Sequence, residues 1–369
     1  MQNEEMHELR SAFIIHTSSF LIPMTNRFLN LLEKAKQTGT PIICDGAMGT
    51  QLMERGLQFG DPPEMWNALP DKQGKVREVY RGYVQAGSDI ILTNSFGGTP
   101  FRLKMHNLQD RTFELNKLAA ELARMEAGED HIVAGSMGPS GELFEPMGAL
   151  THESATEGFR RQAEGLAAGG VDVFWVETMS DLQEVRAAIA GARLVAPEIP
   201  VIATMTFDTR GFTMMGVSPA EAITELSKFD LAAIGGNCGN GPDELEAVIY
   251  SMNLVRQDIP LIAKSNAGMP QFINGATTYN ASPELMAECA RRMRAFGATI
   301  IGGCCGSTPT HITAMKQALN EQPPLDVSQL ELTVSVATRA APSEGRRERR
   351  KRETIAALPT LTGNMSFRP

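Results

Sequence analysis

The sequence predicts an α/β protein, a single (β/α)8 TIM barrel followed by a flexible basic C-terminal tail. Three observations predict it. From residue 41 to about 320 one pattern recurs eight times: a short β-branched run, a Gly- or Asn-rich turn, and a longer stretch rich in Ala, Leu, Glu and Arg. Each short run is continuously apolar, as strands buried on both faces are. Eight such units in about 280 residues match the length of a (β/α)8 barrel.

In order, the strand runs are PIICD (41–45), SDIILT (88–93), HIVAG (131–135), VDVFWV (171–176), PVIATMT (200–206), LAAIG (231–235), PLIAK (260–264) and ATIIG (298–302). Helical stretches such as RTFELNKLAAELARME (111–126) and SDLQEVRAAIAGARLV (180–195) lie between them. A doubly wound open sheet is the competing architecture. No G-x-G-x-x-G follows the first strand, which weakens a dinucleotide-binding version of it. The expected boundaries are an N-terminal extension at 1–39, the barrel at 40–320 and a largely disordered tail at 321–369. Residues 12–24 look faintly like a secretory core, but the ten residues before them carry three acids and one arginine, the wrong sign for such a leader. The preferred reading is an extended gene start with Met24 as initiator. The tail holds GRRERRKR (345–352), whose six basic residues read as a solvated end.

Composition narrows the function classes. With 42% hydrophobic and 21% charged residues, the 369-residue chain is globular for most of its length. Against 43 acidic residues stand 34 basic ones, a net charge of −9, so nucleic acid or an anionic membrane is not implied as a partner. No apolar run reaches the roughly 18–20 residues that span a bilayer. Five cysteines without framework spacing make the cytoplasm the default compartment.

In a barrel, chemistry sits just past the C-terminal ends of the strands. Unusual residues fall there in all eight units: Asp45 to Thr50, Thr93 to Gly98, Ser136 to Pro139, Glu177 to Ser180, Thr206 to Asp208, Gly236 to Gly239, Lys264 to Gly268 and Gly302 to Gly306. Three of the five cysteines, Cys238, Cys304 and Cys305, lie at the ends of strands six and eight; Cys44 and Cys289 read as small core residues. Three thiolates converging at a barrel mouth suit a tetrahedral zinc site with one position left for substrate. Asn266, at the strand end between them, is placed to supply a weak, displaceable oxygen ligand. Inert buried thiols and a Gly-rich phosphate loop after strand eight are the bland alternatives. A thiolate-rich zinc deprotonates an incoming thiol at neutral pH while keeping it nucleophilic, which is the chemistry of alkyl transfer to sulfur. Asp45 and Glu177 suit an α-ammonium, and the backbone of the Gly46–Ala47 turn suits an α-carboxylate.

The motifs DGAMGT (45–50), TNSFGGT (93–99), GSMGP (135–139), ETMSD (177–181), GGNCG (235–239), KSNAG (264–268) and GGCCG (302–306) closely resemble those of the homocysteine S-methyltransferase family. That family includes betaine–homocysteine methyltransferases and the homocysteine domain of cobalamin-dependent methionine synthase. The resemblance covers about residues 40–320. It implies a Zn2+-bearing barrel in which Cys238, Cys304 and Cys305 match the zinc cysteines and thus the catalytic set, Asp45 and Glu177 match the homocysteine-ammonium ligands, and Asn266 matches a methionine-synthase-type fourth ligand. Asp45, Gly46, Ala47, Asn94, Ser136 and Glu177 form the expected substrate-binding set. Two positions depart from the animal betaine enzymes, which carry tyrosines where this chain has Gly97 and Thr178. A quaternary ammonium wants aromatic faces, and Trp66, Phe96, Phe144, Trp175 and Phe207 are nearby candidates either for rebuilding a cage or for the core.

The expectation is methyl transfer to homocysteine, giving methionine, with betaine or a related small onium compound as donor. The alternative is a homocysteine-activating subunit of a split cobalamin-dependent methionine synthase, docking a methylcorrinoid protein on a rim of Met48, Met137, Met147 and Met269. Lys264 raises a Schiff-base lyase as a rival, and a non-catalytic zinc module is a third option. Monomer and homo-oligomer are both left open.

Overall fold

Eight parallel strands pair side by side into a nearly closed barrel in the computed structural model, which describes residues 26–273 and 276–332. The stretch read as an extended gene start and the basic run at 345–352 lie outside the described residues. The barrel strands are β1 (Ile42–Ile43), β2 (Ile90–Leu92), β3 (Ile132–Met137), β4 (Val173–Met179), β5 (Val201–Met205), β6 (Ala233–Cys238), β7 (Leu261–Ser265) and β10 (Ala298–Gly303). They pair in the order β1-β10-β7-β6-β5-β4-β3-β2. A parallel bridge from Cys44 to Ile90, with the Asp45 N–H donating to the Ile90 carbonyl at 3.0 Å, joins β1 to β2. Each of the eight apolar runs becomes one of these strands.

Period-two alternation splits the buried side chains into two clusters. Ile42, Cys44, Ile90, Leu92, Ile132, Val173, Trp175, Ile202, Ile262 and Ile300 form one; Ile43, Ile91, Val133, Phe174, Val176, Ala203 and Ile301 join the larger one that includes the helices. The first cluster is the barrel interior. Helix α1 (Arg27–Thr38) belongs with it through Phe28, Leu31 and Leu32, so part of the expected N-terminal extension packs on the barrel. Its start is capped by Asn26, whose Oδ1 accepts the N–H groups of Phe28 and Leu29.

Two features differ from the sequence reading. After β7 the chain forms a short antiparallel hairpin, β8 (Gln271–Ile273) and β9 (Ala276–Thr278). It leads into Tyr279, whose ring lies so close to Gly306 that a Cβ there would meet it at 2.2 Å. In addition, β4 runs three residues past its expected end. A register shift between Val176 and Met179 takes Glu177 and Thr178 out of regular pairing, the behaviour of a β-bulge beside a site. Of the stretch expected as tail, residues 321–332 are described: Glu321 ends a helix, Leu330 and Leu332 pack on the core, and Arg292 donates to the Glu331 carbonyl at 2.8 Å.

Candidate functional site

The three strand-end cysteines meet. Cys238 closes β6, while Cys304 and Cys305 follow β10 directly, and their Sγ atoms lie within 4.8 Å of one another. This is the one group of metal-ligand side chains of its kind among the described residues. Backbone contacts hold it in shape. The Cys304 N–H donates to the Ser265 carbonyl at 2.6 Å, and the Ser307 hydroxyl donates back to the Cys304 carbonyl at 2.6 Å. Cys238 has a left-handed backbone, with φ 64°, which turns the chain at the strand end. Cys44 and Cys289 are buried elsewhere, in the barrel interior and on a helix.

The three sulfurs lie close enough to act on one another's protons. Hydrogen bonds with Cys304 and Cys305 push the Cys238 thiol up, while hydrogen bonds from Cys238 and Cys304 pull Cys305 down. The nearby Tyr279 hydroxyl pulls Cys305 down further. A cation bound by three such sulfurs takes the place of their protons. The donor set fits a soft or borderline metal in tetrahedral geometry, with three protein sulfurs and one open position.

Two carboxylates lie close to the cluster, near enough for the Cys304 sulfur to act on the charge of each. Glu177 is buried and accepts a short hydrogen bond from the Ser136 hydroxyl. Burial pushes its carboxyl up to about 7, with Lys264 opposing and Cys304 reinforcing the shift. Asp45 is engaged on both oxygens. Oδ1 meets Lys264 Nζ at 2.8 Å, and Oδ2 accepts the Leu92 N–H at 2.7 Å. Burial disfavours the Lys264 charge, yet Asp45, Cys44 and Glu177 outweigh it and hold the ammonium above the usual lysine value. A lysine kept protonated in an ion pair is a poor amine nucleophile, which counts against the Schiff-base rival.

The remaining expected residues are placed as follows. Asn266 is spent on backbone: Oδ1 accepts the Cys305 N–H at 3.1 Å, and Nδ2 donates to the Gly239 carbonyl at 2.7 Å. It ties together the loops that carry the cysteines. Asn94 donates to the Pro63 carbonyl and to Asn67 Oδ1, at 2.8 and 3.0 Å. The Ala47 N–H points to the Ser307 carbonyl at 3.4 Å, and Gly46 is pressed against Ser307 and Tyr83, where a Cβ would clash at 2.7 and 2.8 Å. Of the five aromatic candidates, Trp66, Phe144, Trp175 and Phe207 are buried; Phe96 alone is exposed, at 38%. Within the methionine rim, Met147 and Met269 are exposed, Met48 is half-buried and Met137 is fully buried.

Sequence reasoning missed the partners that hold these groups. Lys264, a candidate nucleophile by sequence, is the counter-ion of Asp45. Asn237, inside the GGNCG motif, brackets Thr178: its Oδ1 accepts the Thr178 N–H at 2.9 Å and its Nδ2 donates to Thr178 Oγ1 at 2.7 Å. Tyr279 was not singled out, although the Asn-Gly pair just before it in sequence is the strongest short hairpin signal.

Known proteins resemble this chain in sequence and in fold. A family described as homocysteine S-methyltransferase matches residues 42–319. Methionine synthase of Mycobacterium tuberculosis is 31% identical over 293 residues, covering 75% of this chain and 24% of its own length. Methionine synthase of Mycobacterium leprae is 31% identical over 305 residues, with 79% and 25% covered. The chain thus spans about a quarter of the length of these relatives. Among solved structures, the metallated form of homocysteine methyltransferase MmuM from Escherichia coli superposes with TM-score 0.64 at 25% identity, covering 77% of this chain and 98% of that one. Its oxidized form gives TM-score 0.62, also at 25% identity, with 75% and 95% covered. With three thiols converging at the mouth of such a barrel and a family match across nearly all of it, the chain belongs to the homocysteine S-methyltransferase family.

Proposed function

We propose that this protein is a zinc-dependent S-methyltransferase that forms methionine from homocysteine. The observation that carries the reading is the meeting of Cys238, Cys304 and Cys305 at the C-terminal end of the barrel, within the electrostatic reach of Glu177 and Asp45. Held by those three sulfurs, zinc supplies the acidity that makes an incoming thiol a thiolate at neutral pH.

The chain's own residues do the rest. Glu177, oriented by Ser136, receives the α-ammonium; Asp45, already neutralised by Lys264, adds a second acceptor face. Asn266 keeps the loops bearing Cys238 and Cys305 in register. In the transfer, a sulfur lone pair forms the new S–CH3 bond as the donor's bond to that carbon breaks and its electron pair leaves with the donor. Positioning of the thiolate in line with that bond is the main contribution the fold makes.

The donor reading divides between a small onium compound, such as betaine, and a methylcorrinoid protein. Burial of Trp66, Phe144, Trp175 and Phe207 leaves Phe96 as the one exposed aromatic of the five, and Lys264 already sits 5.2 Å from the Trp175 ring centre. Among these five that leaves little aromatic surface for an onium cage and favours the methylcorrinoid reading. The test is methionine formation from homocysteine by zinc-loaded, reduced protein with betaine, dimethylsulfonioacetate or a methylcorrinoid protein as sole donor. Turnover with the corrinoid alone supports this assignment; turnover with betaine restores the onium reading; no methionine from any of the three contradicts the proposed activity. Among the described residues no helix is long and apolar enough to cross a membrane, and we place the enzyme in the cytoplasm on its reduced-thiol chemistry.

A further inference from the structure

Thr178 adopts a left-handed backbone, with φ 59°. A β-branched residue is a true outlier there, and such a conformation persists only where the surroundings over-determine it. The surroundings here are one side chain. The Asn237 amide uses its oxygen on the Thr178 N–H (2.9 Å) and its nitrogen on the Thr178 hydroxyl (2.7 Å), so the turn is clamped from both ends of one planar group. Asn237 is itself buried, while the Thr178 it holds is half-buried. The orientation of the amide is fixed as well, because the Thr178 N–H needs an acceptor.

The clamp reaches both halves of the site. Thr178 follows Glu177, and the strand loses register between Val176 and Met179, which frees Glu177 to bond with Ser136. On its other side, Asn237 Nδ2 lies 3.8 Å from Cys304 Sγ, within reach of a hydrogen bond to sulfur. Asn237 also directly precedes Cys238, the second left-handed residue of the site. One buried amide thus touches the turn that aims the carboxylate, one cysteine of the cluster through space, and another through the chain.

We propose that Asn237 is a positioning residue that couples the amino-acid end of the homocysteine site to its sulfur end. It sets the distance between the Glu177 carboxylate and the cysteine cluster, and its N–H donation draws charge from the Cys304 thiolate. The inference rests on the homocysteine reading above. Outer contacts of this kind orient the inner ligands and tune the metal they hold.

The test uses the full chain loaded with Co2+ in place of zinc, so that sulfur-to-metal absorption reports on the thiolates while calorimetry reports on homocysteine binding. Asn237→Ala keeps the metal stoichiometry, weakens homocysteine binding about tenfold and shifts the absorption band. In Asn237→Ala/Thr178→Gly, glycine holds the left-handed turn without strain; homocysteine affinity recovers, while the band shift stays because the donor to Cys304 is still missing. If Asn237→Ala folds poorly, judged by its melting curve, the double variant supplies the comparison and melts like wild type. Homocysteine binding by Asn237→Ala within about twofold of wild type overturns the proposal. So does a double variant that shows no recovery. Wild-type protein that binds metal but no homocysteine overturns the functional reading underneath it, a result these variants cannot mimic.

Discussion

The Lys264 ammonium lies 2.8 Å from the Asp45 carboxylate, with each side chain only 3% exposed, and joins β7 to the end of β1 beneath the cysteine cluster. Removing one member of a buried pair leaves the other charge uncompensated. Lys264→Met therefore destabilises the protein by about 3–5 kcal/mol, and Lys264→Met/Asp45→Asn recovers most of that loss. Urea unfolding of the two variants checks it. Equal destabilisation by both would mean that Lys264 acts by packing against Trp175 instead.

Glu177 gives the site a pH dependence. Its carboxyl titrates at about 7, against an ordinary 4.5, because burial disfavours the charged form. Only the carboxylate attracts an ammonium, so homocysteine affinity falls as pH drops through about 7 and is regained above it. Glu177→Gln weakens binding at pH 8 with the metal retained, and removes this component of the profile. A Gln variant with the wild-type profile would take Glu177 out of the ammonium site.

Cys304→Ala leaves two sulfurs for the metal. Because Cys304 holds to the end of β7 through its backbone N–H, which alanine keeps, the variant keeps the barrel's circular dichroism while losing most bound zinc. Unchanged zinc content by atomic emission would remove Cys304 from the ligand set.

Gly235 in β6 tests the barrel itself. A Cβ there would meet the Ile262 carbonyl oxygen of β7 at 1.9 Å, and neither backbone can yield without breaking the ladder. Gly235→Ala fails to accumulate as folded protein, whereas Gly74→Ala, on an open helix surface with nothing within 4 Å, expresses normally and is stabilised by up to about 1 kcal/mol.

The eight strands were legible because each is a short apolar run closed by glycines, a pattern set locally by burial on both faces. The cysteine cluster was legible for the same reason: a residue just past a barrel strand can point only to the mouth. What could not be read was pairing across the barrel. Lys264 and Asp45 are 219 positions apart, and nothing in either motif says that one neutralises the other. Likewise, the Asn266 amide accepts the Cys305 N–H and donates to the Gly239 carbonyl, contacts that exist only once both loops are in place. Four of the five aromatic candidates are core and Phe96 is exposed, a division the motifs do not announce because an aromatic near a motif is more often core. Trp175 points into the barrel interior, as strand alternation from Val173 requires.

The most direct test is zinc X-ray absorption on the full chain with and without L-homocysteine. Three sulfurs at about 2.3 Å without the amino acid, and four with it, is the result this account predicts. Fewer than three sulfurs in the free protein, or a count that homocysteine leaves unchanged, would contradict it.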